Sequence, residues 1–131
     1  MSDFGKTDYW FDSADYDLQT ARAMLETKRY LYVGFMCHQT IEKALKGIFV
    51  SRRPEEDLPY IHSPVRLANL SGISGEMSEE QLSLLDILSP LNIEARYPLH
   101  RERLLQSLTP KRCGELITKT EVLLEWLKTK H

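Results

Sequence analysis

The segment 30–53 constrains the fold most, because its apolar residues cover most of the circumference of one long helix. It holds no proline until Pro54, whose ring disfavours a helical conformation in the residue before it. At about 100° per residue, four polar side chains fall on one narrow stripe, opposite the most apolar side. We therefore predict a central, mostly buried helix whose stripe faces a cleft, a partner or a thin layer of solvent. This polar stripe consists of Gln39, Glu42, Lys43 and Lys46.

Other segments carry helical patterns and recognisable helix starts. Before segment 30–53, apolar residues recur at spacings of three and four, which is typical of an amphipathic helix. Ser63 and Thr109 each precede a proline, which is the pattern of an N-cap followed by proline at the first helical position. Ser78 with Gln81 resembles a capping box. We predict helices over about 7–28, 30–53, 63–70, 78–89 and 109–131.

The pattern predicts an all-α fold. No segment shows the strict alternation of apolar and polar residues that is typical of a strand. Long helices with short connections bury their apolar seams most simply in an antiparallel, up-and-down four-helix bundle, with the short helix after Ser63 as an additional element. Because 131 residues, 42% of them hydrophobic, suffice for one core, we predict a single domain over 1–131.

Composition narrows the class of protein. A net charge of -2 argues against nucleic-acid binding over the whole surface. The first residues lack the apolar run of a signal peptide, and no stretch approaches the ~20 apolar residues of a membrane span. We therefore expect a cytoplasmic protein. Cys37 and Cys113 lie in apolar helical patterns without metal-site spacing, so we expect buried, reduced thiols and neither metal nor cofactor.

The segment 92–100 concentrates residues suited to phosphate chemistry in a proline-interrupted turn. Arg96 offers a planar fork for a phosphate, Tyr97 a stacking face, and His100 a proton acceptor near neutral pH. These residues suit the binding or cleavage of RNA, although a structural corner in which Tyr97 packs and Arg96 pairs with an acid is the alternative. Cations follow at Arg101, Arg103, Lys111 and Arg112, which either guide a strand or form an ordinary solvated surface.

Two smaller groups offer weaker signals. His38 and Glu42 have the i, i+4 spacing of one edge of a metal site, but no third ligand accompanies them in the sequence. Asp17 faces the same way as the apolar seam of the first helix and is expected to approach Lys43 or Lys46, either as a salt bridge or as a site carboxylate.

Taken together, these residues resemble the HEPN domains, small helical bundles of bacteria and archaea that are often encoded beside a minimal nucleotidyltransferase. The resemblance spans nearly the whole chain and rests on both long N-terminal helices, the start of the third, and the segment before the last. The residues that carry it are Trp10, Ala14, Asp17, Leu18 and Ala21, then Gln39 and 42–46, then His62 and Leu67, and finally 95–98.

The resemblance implies a homodimer with a nucleotide or RNA ligand, paired with a nucleotidyltransferase in a toxin–antitoxin-like system. The ligand-binding candidates are Arg96, Tyr97, Gln39, Glu42, Lys43, Lys46, Arg101 and Arg103. A metal-independent endoribonuclease with Arg96 and His100 as catalytic residues is one alternative, and a bundle that only binds protein is another. Ribonuclease members place four to six residues between Arg and His, whereas three separate them here. The Ala-Arg-Tyr-Pro form of 95–98 resembles the nucleotide-binding, transferase-associated branch.

Overall fold

Helices form almost all of the regular structure. A computed structural model describes the backbone of residues 3–92 and 98–131 and the side chains of 6–92 and 101–131, and no strand occurs in those ranges. The predicted all-α helical bundle is confirmed. Short 3₁₀ turns at Ile73–Glu76 and Ser89–Leu91 flank the fourth helix. The helices are α1 Asp3–Glu26, α2 Tyr30–Arg52, α3 Pro64–Ser71, α4 Glu79–Leu88, α5 Pro98–Ser107 and α6 Pro110–Lys128.

Three helices start where their capping residues predict. The Ser63 hydroxyl accepts a hydrogen bond from the Arg66 amide at 3.2 Å, and the Thr109 hydroxyl accepts one from the Arg112 amide at 3.2 Å. At α4, Ser78 and the residue three positions on form a reciprocal capping box. Each cap satisfies a backbone N–H that has no partner within its helix. Local sequence therefore decides where α3, α4 and α6 begin.

The central helix α2 packs against α1 along most of its length, and also against α3 and α6. Only a short connection separates α1 from α2, so the two run antiparallel. Gly47 leaves room for the Phe11 ring of α1, because a Cβ built on it would lie 2.9 Å from Cε2 of Phe11. Several side chains of α2 have no exposed surface, among them Ile41, Leu45 and Ile48. One connected cluster of buried side chains reaches from α1 through α2 to all the other helices.

Both cysteines are buried and unpaired, as predicted. Burial raises the pKa of the Cys37 thiol to about 12 and that of the Cys113 thiol to about 11. At neutral pH both therefore remain thiols that pack as small apolar groups. Within the described ranges, no helix combines the length and the apolar character needed to span a membrane.

Helix α5 was not predicted. Pro98 was interpreted as the interruption of a turn, whereas it is the first residue of a ten-residue helix. Proline is accepted at that position because the first N–H of a helix has no partner within the helix. His100 is consequently the third residue of α5, and the bundle has six α-helices in the described ranges instead of the five expected.

Candidate functional site

The polar stripe of α2 lies where α1, α2 and the segment before α3 meet. None of its four side chains stands in open solvent, as the helical pattern predicts. Glu42 is 3% exposed and Lys46 9%, while Gln39 and Lys43 are half-buried. Charged side chains this deeply buried are stable only with partners.

Glu42 lies at the centre of a group of polar side chains, most of which are buried. Its Oε2 accepts a hydrogen bond from Nζ of Lys46, one helical turn on, at 2.8 Å. The same oxygen lies 3.2 Å from Nδ1 of His62, which arrives from the segment before α3. Its other oxygen, Oε1, is 3.7 Å from Nδ1 of His38. We call Glu42, Lys46, His38 and His62 the Glu42 cluster.

His38 is the most buried member of the Glu42 cluster, with no exposed surface. Its burial lowers the pKa of the imidazole, because a charged ring loses hydration there. The neighbouring Glu42 carboxylate, the Gln39 side chain and the His62 backbone act in the opposite direction without reversing the shift. His38 is therefore neutral at pH 7, and its Nδ1 lies 3.3 Å from Oε1 of Gln39.

The two lysines of the stripe are also engaged within the molecule. Nζ of Lys43 lies 2.7 Å from Oδ2 of Asp17 on α1, which confirms the predicted approach of these residues. Nζ of Lys46 lies 5.4 Å from the ring centroid of Trp10, also on α1, within the range of a cation–π contact. These two contacts tie α1 to α2, and the His62 contact ties the segment before α3 to α2. The stripe thus joins three parts of the bundle.

The Glu42 cluster supplies two imidazoles and one carboxylate but does not form a metal centre. Across residues 6–92 and 101–131, no three His, Cys, Asp or Glu side chains are placed to hold an ion. The Oε2 atom of Glu42 instead accepts a hydrogen bond from Lys46, a cation that opposes a second positive charge.

The second predicted group lies at α5 and the start of α6. Arg96 and Tyr97 fall outside the described residues, and of His100 only the backbone position in the first turn of α5 is described. Arg101 and Arg103 on α5 are exposed. Lys111 and Arg112 at the start of α6 are exposed as well. The structure thus separates the buried stripe of α2 from an exposed cationic surface on α5 and α6.

Sequence reasoning missed the contact between Glu42 and His62. It assigned His62 only to the entry of the third helix, and nothing in the local pattern links two residues twenty positions apart. The contact of Trp10 with Lys46 was missed for the same reason. A polar stripe on an apolar helix was the available signal, since it requires that some partner exists.

Comparisons with known proteins agree with this architecture. The family model of the HEPN domain matches residues 7–130. No curated protein matches the chain significantly. The crystal structure of TT1696 from Thermus thermophilus superposes with a TM-score of 0.81 at 21% identity, covering 96% of this chain and 98% of that one. ST0689, an archaeal HEPN homologue, gives a TM-score of 0.70 at 22% identity, covering 95% and 96%.

Proposed function

The chain belongs to the HEPN domain family, and we propose that it is a nucleotide- or RNA-binding module that forms homodimers. We further propose that it pairs with a minimal nucleotidyltransferase in a toxin–antitoxin-like system. The membership covers nearly the full length of the chain.

The observation that carries the proposal is the exposed cationic surface of α5 and the start of α6. Arg101, Arg103 and Lys111 make no ion pair with any residue in the described ranges, and all three are exposed. The Arg112 side chain donates a 3.4 Å hydrogen bond to the carbonyl of Ser107. Cations without internal partners are available to phosphates, which release counterions on binding. Arg96 and Tyr97 immediately precede this surface in the sequence.

We assign the ligand contacts to Arg96, Tyr97, Arg101 and Arg103 and give the polar stripe a structural role. Glu42 and Lys46 already pair with each other at 2.8 Å and are almost completely buried. A phosphate that approached them would have to displace this pair and would meet the carboxylate of Glu42. The stripe therefore supports the bundle on which the ligand site is built.

Calorimetry with a mixed-sequence RNA oligonucleotide tests the binding site. Arg96→Ala is expected to weaken binding by about 1.5–3 kcal/mol, the typical contribution of a hydrogen bond to a charged group. Combined Arg101→Ala and Arg103→Ala should weaken it and reduce its dependence on salt. Arg66→Ala removes an exposed arginine on α3 and serves as the matched control. Binding that is absent in the wild type, or equally weakened by the control, contradicts the proposal.

Cleavage of the same RNA in EDTA separates the binding module from a metal-independent endoribonuclease. In the enzyme, Arg96 would stabilise the phosphate and His100 would transfer the proton, so His100→Ala should lower the rate ~100- to 10,000-fold while binding persists. We expect no cleavage by the wild type. Pairing is tested by mixing the chain with the nucleotidyltransferase encoded nearest to it, and a stable complex in size-exclusion chromatography is expected.

A further inference from the structure

An apolar trough runs between α4 and α6. Both helices pack against α2 but make at most marginal contact with each other. Two cavities of about 380 Å³ each lie in the gap. They share Leu84 and Ile87 from α4 and Lys119 from α6, so they form one continuous depression. We call this depression the α4–α6 trough.

Apolar side chains of the trough extend into solvent. Ile87 is 49% exposed on the α4 wall, and Val122 is 65% exposed on the α6 wall. Single exposed apolar residues are common, but here they border an apolar depression that continues inward to Leu84 and Leu116. Covering these apolar side chains would remove their surface from water, which favours association with a partner.

The two walls of the trough carry opposite charges. Glu80 is the acid of α4 that lines the trough, and α4 contains no lysine or arginine. The α6 wall presents Arg112 and Lys119, with one acid, Glu115, between them. None of these charged side chains forms an ion pair with another residue in the described ranges. Ion pairs among residues 6–92 and 101–131 therefore do not neutralise the opposite charges of the walls.

We propose that the α4–α6 trough is the surface through which two copies of this chain form a homodimer. A two-fold axis parallel to the trough places the acidic α4 wall of one copy opposite the basic α6 wall of the other, and the same pairing occurs twice. The exposed Ile87 and Val122 side chains are covered at the centre. This inference rests on the homodimer in the proposed function and specifies its interface.

Charge favours a second copy over other occupants. Phosphates of RNA would be repelled by Glu80, which lines the same cavity as Lys119. An unrelated protein would need its own pair of oppositely charged edges, whereas a copy of this chain provides them by symmetry. Because Glu80 and Lys119 line the same cavity, the symmetry brings Glu80 of each copy towards the Lys119 side chain of the other.

Charge reversal tests the interface in the full chain by sedimentation equilibrium. Glu80→Lys and Lys119→Glu change exposed residues outside the proposed RNA contacts. Each alone should weaken the dimer at least about tenfold, because it places like charges together twice. An equimolar mixture of the two variants, and the double variant in one chain, should dimerise like the wild type, because opposite charges face each other again. Val122→Asp should also weaken the dimer.

Glu26→Lys, at an exposed acid on α1, is the matched control and should leave dimerisation unchanged. A wild-type dimer that all three trough variants leave intact overturns the inference but not the homodimer of the proposed function. A monomeric wild type overturns both the interface and the homodimer. RNA binding by the wild type and by Arg96→Ala is measured separately. It tests the ligand proposal independently of dimerisation. The two-fold arrangement is also contradicted if Glu80→Lys and Lys119→Glu each weaken the dimer but their equimolar mixture does not restore dimerisation.

Discussion

The carboxylate of Glu42 in the middle of α2 lies 3.2 Å from Nδ1 of His62, in the segment that enters α3. Together with the Lys46 ammonium at 2.8 Å, this contact gives polar partners to a carboxylate that is only 3% exposed. The interaction holds the connection between α2 and α3 against the central helix. The energetics of the Glu42 cluster and of the packing around it can be measured in four ways.

Glu42→Gln should lower the free energy of unfolding by about 3 kcal/mol, because it leaves the buried Lys46 ammonium without its counter-charge. Combining it with Lys46→Met should recover much of that loss, since the unpaired cation is then removed as well. Urea denaturation measures both. The control is Glu56→Gln, whose pair with Arg53 is exposed and should contribute less than about 1 kcal/mol. Equal losses at Glu42 and Glu56 would refute the assigned role.

His38 should make stability depend on pH in mild acid. Its pKa is lowered from the ordinary 6.5 in the folded chain, so the unfolded chain binds a proton more readily. The free energy of unfolding should therefore decrease as pH falls below 6.5, and His38→Gln should reduce that slope. Urea denaturation of both proteins between about pH 8 and pH 5 is the measurement. Identical slopes for wild type and variant would exclude this contribution of His38.

Asp17 and Lys43 should couple α1 to α2 more strongly than an exposed pair does. A double-mutant cycle with Asp17→Asn and Lys43→Met is expected to give an interaction energy of about 1–2 kcal/mol, because Asp17 is buried. The pair of Arg22 with Glu121 has a similar distance, 2.8 Å, but more exposure, and should give about 0.5 kcal/mol or less. A larger value for the exposed pair would contradict the importance of burial.

Gly47→Ala should destabilise the protein by about 1–3 kcal/mol, because the added methyl would lie 2.9 Å from Cε2 of Phe11. Gly114→Ala is the matched control in α6, where nothing lies within 4 Å of the added atom. It should stabilise the protein by about 0.5–1 kcal/mol through higher helix propensity. Thermal unfolding of both variants gives the comparison. Two changes of the same sign would argue against close packing at Gly47.

Sequence alone predicted the parts of the candidate site that depend on helical periodicity. It assigned Gln39, Glu42, Lys43 and Lys46 to one side of a buried helix, and they are shielded from solvent. It also predicted that Asp17 approaches Lys43 or Lys46, because Asp17 lies on the apolar side of the first helix, and Nζ of Lys43 is 2.7 Å from its carboxylate. Nucleotide binding by the stripe and by Arg96, Tyr97, Arg101 and Arg103 stays a prediction, as does catalysis by Arg96 and His100. Arg96 and Tyr97 lie outside the described residues.

The all-helical fold and the starts of α3, α4 and α6 were determined by the sequence itself, because caps and apolar seams act between residues a few positions apart. Helix α5 was missed because the same proline that ends one helix can begin another. Only the tertiary structure decided that His62 meets Glu42 and that α4 and α6 leave a trough on α2. Those relationships depend on how helices far apart in the chain pack, and packing follows from the shapes of whole surfaces, which no local pattern specifies.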